Sequence, residues 1–372
     1  MGARRLVVGI DGRELQGRPS GTGRYLRNLL RHWRGSGSRL VVYFDGPAPS
    51  DPVLDHDALR SRSVVSPGRR GLLWQQRTLP RAARGDGLDV FFSPAYTCPL
   101  SLDVPRVTAV HDLSFFSHPQ DFTFVDGVRR RLLVSLAARA SRVLLACSDF
   151  TRREIQARFP AAAPHVALVP LGGDDDLPPA PAREDARRRL GVEGPFVITV
   201  GAVLNRRCLP ELLRATGGLR ASHPTLTLDV VGENRTHPRL DLPALVAAAG
   251  LEERVRLSGY VDEAGLADRY AAADAAVFLS EYEGFGLPAL EAAARGVPLV
   301  VSRAPSLGEI FAEAAVLVDP RDESAVTNGV DAVLRRTELR ERIVSEGLRL
   351  AARHSWQRTA ALTHAALERA AA

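Results

Sequence analysis

The chain of 372 residues contains no lysine, so all 49 of its basic residues are arginine. Codon bias in a GC-rich genome accounts for the absence, and its physical consequence is that every cationic task falls to a planar, stiffer guanidinium. Cysteine is nearly missing too: Cys98, Cys147 and Cys208 are odd in number and widely spaced, which argues against a disulfide framework or a zinc site and for a reducing cytoplasm. No apolar run approaches the ~18 to 20 residues of a membrane helix. The run Leu6 to Ile10 is also too short for a signal peptide and reads as a strand. The opening MGARRL lacks the Ser or Thr of a myristoylation signal. Neither a short-period repeat nor a low-complexity tail is seen.

What is there fits an enzyme-like protein: 45% hydrophobic and 25% charged residues, in a chain too long for one ordinary core, predict two domains. Charge is unevenly divided. Residues 1 to 170 hold 25 Arg against 14 Asp and Glu, whereas the remainder holds 24 against 29, so the halves carry +11 and −5. The basic half should face something anionic.

Short apolar runs alternate with amphipathic stretches of helical spacing. Strands are predicted at Leu6 to Ile10, Leu40 to Phe44, Val90 to Phe92, Val107 to Val110, Val143 to Ala146 and Val166 to Leu168. Helices are expected at Tyr25 to Trp33, Leu72 to Ala83, Val128 to Ala138 and Thr151 to Arg158. The stretch Pro170 to Pro181, PLGGDDDLPPAP, breaks the pattern and reads as a linker. Beyond it the alternation resumes, with strands at Phe196 to Val200, Leu226 to Val231, Arg254 to Leu257, Ala275 to Leu279, Leu299 to Val301 and Ala315 to Val318. Helices fall at Leu209 to Leu219, Leu242 to Ala249, Glu263 to Ala272, Pro288 to Arg295 and Glu323 to Arg335, and a last amphipathic run covers Thr359 to Ala371. The fold class is therefore α/β: two doubly wound parallel-sheet domains, 1–170 and 171–355, with 356–372 beyond the last strand. Such a pair is expected to hold its ligand in a cleft at the strand C-terminal ends.

Four groups of residues belong at those ends. In EYEGFGLPALEAAARG, Glu283 lies in the loop after a strand and Glu291 early in the next helix, with Gly284, Phe285, Gly286 and Leu287 offering backbone N–H groups at the helix start. An acid in a first helical turn can also merely complement the macrodipole. Arg206 and Arg207 follow the strand ending at Val200, where adjacent guanidinium groups can meet two oxygens of a diphosphate. Gly21 and Gly23 in SGTGRY precede a helix and would let a phosphate approach the backbone. His111, with Asp112, ends the strand Val107 to Val110. Two carboxylates and a diphosphate repel one another, so the acids should bind hydroxyls and the arginines phosphates, the layout of a nucleotide sugar.

These segments, together with VPLGGD, TVGAVLNRRCL, LACSDFTRREI, LDVVGE and HSWQRTA in order, make the chain resemble the retaining glycosyltransferases of family 4, with the two-domain GT-B fold. The resemblance implies Rossmann-like domains facing a cleft and a C-terminal helix that crosses back to the first domain. It implies that Glu291 binds the ribose of the donor, that Glu283 with Phe285, Gly286 and Leu287 binds the transferred sugar, and that Arg206, Arg207 and the Gly23 N–H neutralise the leaving diphosphate. His111 would lie beside the reacting carbon. Where the family has Arg-Lys-Asn, this chain has Arg206-Arg207-Cys208. The expected reaction moves a hexose with retention, without a metal or other cofactor. HDLSFFSHP and GTGRYLRNLL are most similar to bacterial mannosyltransferases of surface polysaccharides, implying GDP-mannose, with UDP-glucose or another UDP-sugar as alternatives. A glycosidase would not need the basic site, an epimerase is disfavoured by the paired glutamates, and a non-catalytic nucleotide-sugar sensor is disfavoured by the full set of donor contacts. Expected partners are the donor, a glycan or lipid-linked acceptor and an anionic membrane surface met through Arg129-Arg130-Arg131 and the Arg69-Arg70 to Trp74 stretch, with no nucleic acid.

Overall fold

A computed structural model describes residues 5–17, 20–33, 37–65, 71–173 and 178–372. Arg18, Pro19, Arg69, Arg70 and the linker residues 174–177 lie outside the described residues. The chain forms two compact units. The first comprises Met1–Leu113, Val125–Gly172 and Ser355–Ala372, and the second Ser114–Phe124 and Gly173–His354.

The first unit is built on β1 (Val7–Asp11), β2 (Arg39–Phe44), β3 (Leu59–Ser63), β4 (Val90–Ser93), β5 (Arg106–Val110), β6 (Val143–Ala146) and β7 (Val166–Leu168), all parallel, in the order β3-β2-β1-β4-β5-β6-β7. The second has β8 (Phe196–Val200), β9 (Thr227–Val231), β10 (Val255–Gly259), β11 (Ala275–Phe278), β12 (Leu299–Ser302) and β13 (Val316–Val318), again parallel, in the order β10-β9-β8-β11-β12-β13. Each order reverses beside its first strand, between β1 and β4 and between β8 and β11. In a doubly wound sheet that is where the loops diverge and leave room for a ligand.

Central strands such as Val90–Ser93 and Leu299–Ser302 are buried along their whole length because helices cover both faces, which is why they read as unbroken apolar runs. The strand Leu59–Ser63 was not expected. Its sequence, LRSRS, lies at the sheet edge with little buried, and an edge strand needs polar residues rather than an apolar run. The helices Arg183–Leu190 and Pro305–Ile310 were not expected either, and two more depart from expectation. The first begins at Gly21 rather than Tyr25, because Ser20 caps it by accepting from the Gly23 N–H at 3.0 Å, so Gly21, Thr22 and Gly23 form its opening turn. A helix at Thr337–Arg353, absent from the sequence reading, packs against Leu287–Ala294, with Gly347 close to Ala293.

The core of the first unit includes the fully buried Trp74, whose indole N–H donates to Val64 O at 2.7 Å. The helix Trp356–Ala371 returns to this unit and packs on the helix Gly21–Arg31 and on β4, β5 and β6. Trp356 is buried against Gly172, where a Cβ would stand 2.4 Å from the Trp356 nitrogen.

Candidate active site

In the second unit, the loops after β8 and β11 meet at the reversal point. The Glu281 N–H donates to Arg206 O at 2.9 Å, which ties the two loops together. Arg207 lies across the gap: its Nη2 donates to Glu283 Oε1 at 2.7 Å and its Nη1 to Ala202 O at 3.1 Å. The same two side chains, with Gly201, Ser280, Gly286 and Leu307, line a pocket at the strand ends. Ser306 Oγ donates to the Glu283 carbonyl and so fixes the loop from the far side.

The turn that follows has a steric reason. Gly286 adopts φ 89°, and a Cβ there would stand 2.3 Å from Leu307 Cδ2, so only glycine lets the chain turn directly into the helix Leu287–Ala294. Leu287 is the first residue of that helix, and Phe285 is buried with its ring 5.9 Å from that of His354. Glu291 is the fifth helical residue, beyond the first turn, and only 2% exposed. The macrodipole reading therefore fails for it. A buried carboxylate requires polar partners, and Tyr270 Oη approaches its Oε2 at 3.5 Å.

Arg206 does not join Arg207 at the pocket. Its side chain is 9% exposed, with Nη1 3.6 Å from Asp121 Oδ2. The paired arginines of the sequence thus have different surroundings, because the 3-10 turn Asn205–Arg207 sends consecutive side chains in different directions. Cys208, next in line, has φ 47° and caps the helix Leu209–Gly218 without a side-chain hydrogen bond. Asn, the family residue there, tolerates that left-handed conformation and can cap. Burial, followed by Glu211 and Glu281, pushes the Cys208 thiol up to about 12, so it stays protonated. Arg321 bridges the same two acids, donating to Glu281 Oε1 at 2.8 Å and to Glu211. That network escaped the sequence reading because its members come from the first turn of one helix and two separate loops.

In the first unit, His111 directly follows β5 and lies between the rings of Tyr25 and Tyr96, at 4.9 and 5.7 Å. Its Nε2 meets Pro94 O at 2.7 Å. A carbonyl only accepts, so Nε2 carries the hydrogen and Nδ1 of the neutral ring is an acceptor. Burial holds the imidazole below its ordinary value of 6.5, although the Pro94 bond, Asp112 and Glu14 oppose the shift. A folded pKa lower than the unfolded one means that the unfolded chain takes up more protons as pH falls. This stability is full above pH 6.5 and drains away as pH drops below it towards the folded value. His111→Gln should therefore flatten the fall of melting temperature between about pH 7 and 5; an unchanged slope in a pH series of thermal melts contradicts that assignment.

Gly23 has its N–H engaged by Ser20 Oγ, and its missing side chain serves a close approach to Glu14 O, 2.5 Å from where a Cβ would be. The diphosphate role implied for that N–H would require it to leave the cap. Gly21 is exposed at the first helical position, with open space around it.

Comparison with known proteins agrees with this architecture. Residues 19–177 match the model of Glycosyltransferase Family 4, and residues 182–349 that of Glycosyl transferases group 1. The O-antigen chain mannosyltransferase B of Escherichia coli is 31% identical over 72% of this chain and 71% of its own length. The mannosylfructose-phosphate synthase of Agrobacterium fabrum is 29% identical over 60% of this chain, which spans only 54% of that protein. The crystal structure of Anabaena HepE in complex with UDP-glucose superposes with a TM-score of 0.74 at 19% identity, covering 97% of this chain and 99% of that one. Two Rossmann-type parallel sheets, both family models in sequence order and the identity to the Escherichia coli protein together place the chain in the family 4 glycosyltransferases, with the GT-B fold.

Proposed function

We propose that the protein is a retaining, metal-independent glycosyltransferase that moves a hexose, mannose from GDP-mannose, to a hydroxyl of a glycan or lipid-linked acceptor. The observation that carries this reading is the Arg207–Glu283 pair at the reversal point of the second sheet, beside the Gly286 turn and the helix that carries the buried Glu291. Arg207 would take up the charge released on the diphosphate, Glu283 a hydroxyl of the sugar and Glu291 the ribose. In the retaining route, the leaving phosphate oxygen accepts the acceptor's proton on the face from which it departs. The protein then supplies positioning and charge stabilisation. The name of the Escherichia coli relative supports mannose; HepE, solved with UDP-glucose, makes that the second donor to try.

Thermal melts with GDP-mannose, UDP-glucose, GDP and UDP should show the largest rise with GDP-mannose, and nucleoside diphosphate should appear only when an acceptor glycan is added. No response to any of the four ligands would reject the reading, and a product with inverted anomeric configuration would reject retention.

On the acceptor side, the helix Phe124–Ala140 supports a membrane-facing role. Phe124, Val125, Val128 and Leu132 stand exposed at 81, 76, 41 and 57%, beside Arg129 and Arg130, which pair with Asp126 at 2.6 and 2.7 Å. Apolar side chains flanked by arginine suit an anionic lipid surface. At about 1 kcal/mol per basic residue, neutralising Arg129, Arg130 and Arg131 together should weaken binding to phosphatidylglycerol vesicles by about two orders of magnitude; unchanged co-sedimentation would reject the contact.

A further inference from the structure

Among the described residues of the second unit, three buried polar atoms lack a hydrogen-bond partner: Arg206 Nε and Asp121 Oδ2, from one ion pair, and His118 Nδ1, three residues before Asp121. Asp121 and His118 come from Ser114–Phe124, which belongs to this unit although its sequence neighbours on either side belong to the other. Arg206 and Asp121 are 9 and 5% exposed, and their 3.6 Å separation is an ion pair too long to be a hydrogen bond. The His118 ring lies 5.3 Å from that of Tyr282, and the Asp121 N–H donates to His118 O at 3.1 Å. Tyr282 and Arg206 are the immediate sequence neighbours of Glu283 and Arg207, which places the cluster on the same two loops as the paired site.

A buried ion pair left short of hydrogen bonds is costly, because both groups have lost water and neither has recovered a full partner. The chemistry of what would complete it is narrow. An anion is repelled by Asp121 and a cation by Arg206. A neutral hydroxyl accepts from the guanidinium and donates to the carboxylate at the same time. We infer that Asp121, with Arg206 and His118, forms a subsite for a hydroxyl of the sugar being transferred, making Asp121 a specificity residue of the donor site. The inference rests on the donor reading above.

The experiment compares nucleotide sugar with bare nucleotide. Calorimetric titrations of GDP-mannose and GDP, and of UDP-glucose and UDP, are made into the wild-type protein, Asp121→Ala, Asp121→Asn and His118→Gln. Loss of the Asp121 charge leaves the neighbourhood more positive, so affinity for the nucleoside diphosphate should hold or rise. Affinity for the matching nucleotide sugar should fall at least tenfold in Asp121→Ala and several-fold in His118→Gln. Equal changes for the two ligands, or a lowered melting temperature with the affinity ratio intact, would reduce the cluster to a structural anchor and overturn the inference. Should Asp121→Ala fail to fold, Asp121→Asn and His118→Gln decide on the same ratio. A wild-type protein that binds none of the four ligands overturns the donor reading itself, a result distinct from a wild-type protein whose ratio ignores Asp121.

Discussion

Replacing Arg207 by alanine should slow sugar transfer by a factor of about 10² to 10³, the effect typical of deleting one preorganised group that faces charge developing in a transition state. Arg207 is the cation that lines the pocket at the ends of β8 and β11, and it is already held by Glu283 and Ala202, so it needs no reorganisation when the diphosphate leaves. Its pair with Glu283 is only partly buried, at 23 and 15% exposure, and contributes little to folding, so the variant should melt close to the wild type. Arg207→Lys keeps the charge and restores the residue the family uses, and should recover most of the rate. Turnover measured as nucleoside diphosphate release separates the cases: an Arg207→Ala enzyme within tenfold of wild type would remove Arg207 from the mechanism. The pairing also means that donor binding must share Arg207 between a phosphate and Glu283, so Glu283→Gln should raise diphosphate affinity while slowing transfer.

Gly232→Ala should be the most damaging single methyl group in the second unit. Gly232 follows β9 with φ 143°, and a Cβ there would stand 2.1 Å from the backbone oxygen of Gly201, which follows β8 with φ 120°. A side-chain neighbour could rotate away; a carbonyl fixed at a strand end cannot. Backbone strain and the clash together should cost about 2 to 4 kcal/mol. For a unit of this size that lowers the melting temperature by roughly 6 to 12 °C. The Gly232 N–H donates to Gly259 O at 2.7 Å and the Gly201 N–H to Val231 O at 2.8 Å, so distortion at Gly232 passes to the loop that carries Arg207. Differential scanning fluorimetry checks the stability, and a melt indistinguishable from wild type would show that the strand ends yield more easily than the geometry implies.

Much of this architecture is legible in the sequence because parallel strands covered on both faces must be apolar throughout, and VFFS, AAVF and LVVS leave little doubt about where chain becomes sheet. The strand Leu59–Ser63 is hidden by the same logic, since an edge rewards charge. The helix Thr337–Arg353 is hidden by its position outside the strand alternation and by Arg336, which supplies no side-chain cap. At the site, the spacing of Glu283 and Glu291 around a glycine turn is visible, and the structure adds why each glycine and acid sits there. What spacing cannot show is which way consecutive side chains point. Arg206 and Arg207 look equivalent as letters, yet one meets Asp121 and the other Glu283. Asp121 and His118 follow His111 in the stretch HDLSFFSHPQD, and only long-range folding brings them to Arg206.

The route of the chain carries a consequence for biosynthesis. Strands β4, β5 and β6 take part of their cover from Trp356–Ala371, which a ribosome makes only after the whole second sheet. Until then Gly172 lacks its tryptophan, and those strands lack that part of their cover. Maturation of the first sheet is thereby tied to a helix made after the second, so a translation product cut short before Trp356 would leave part of the first sheet uncovered.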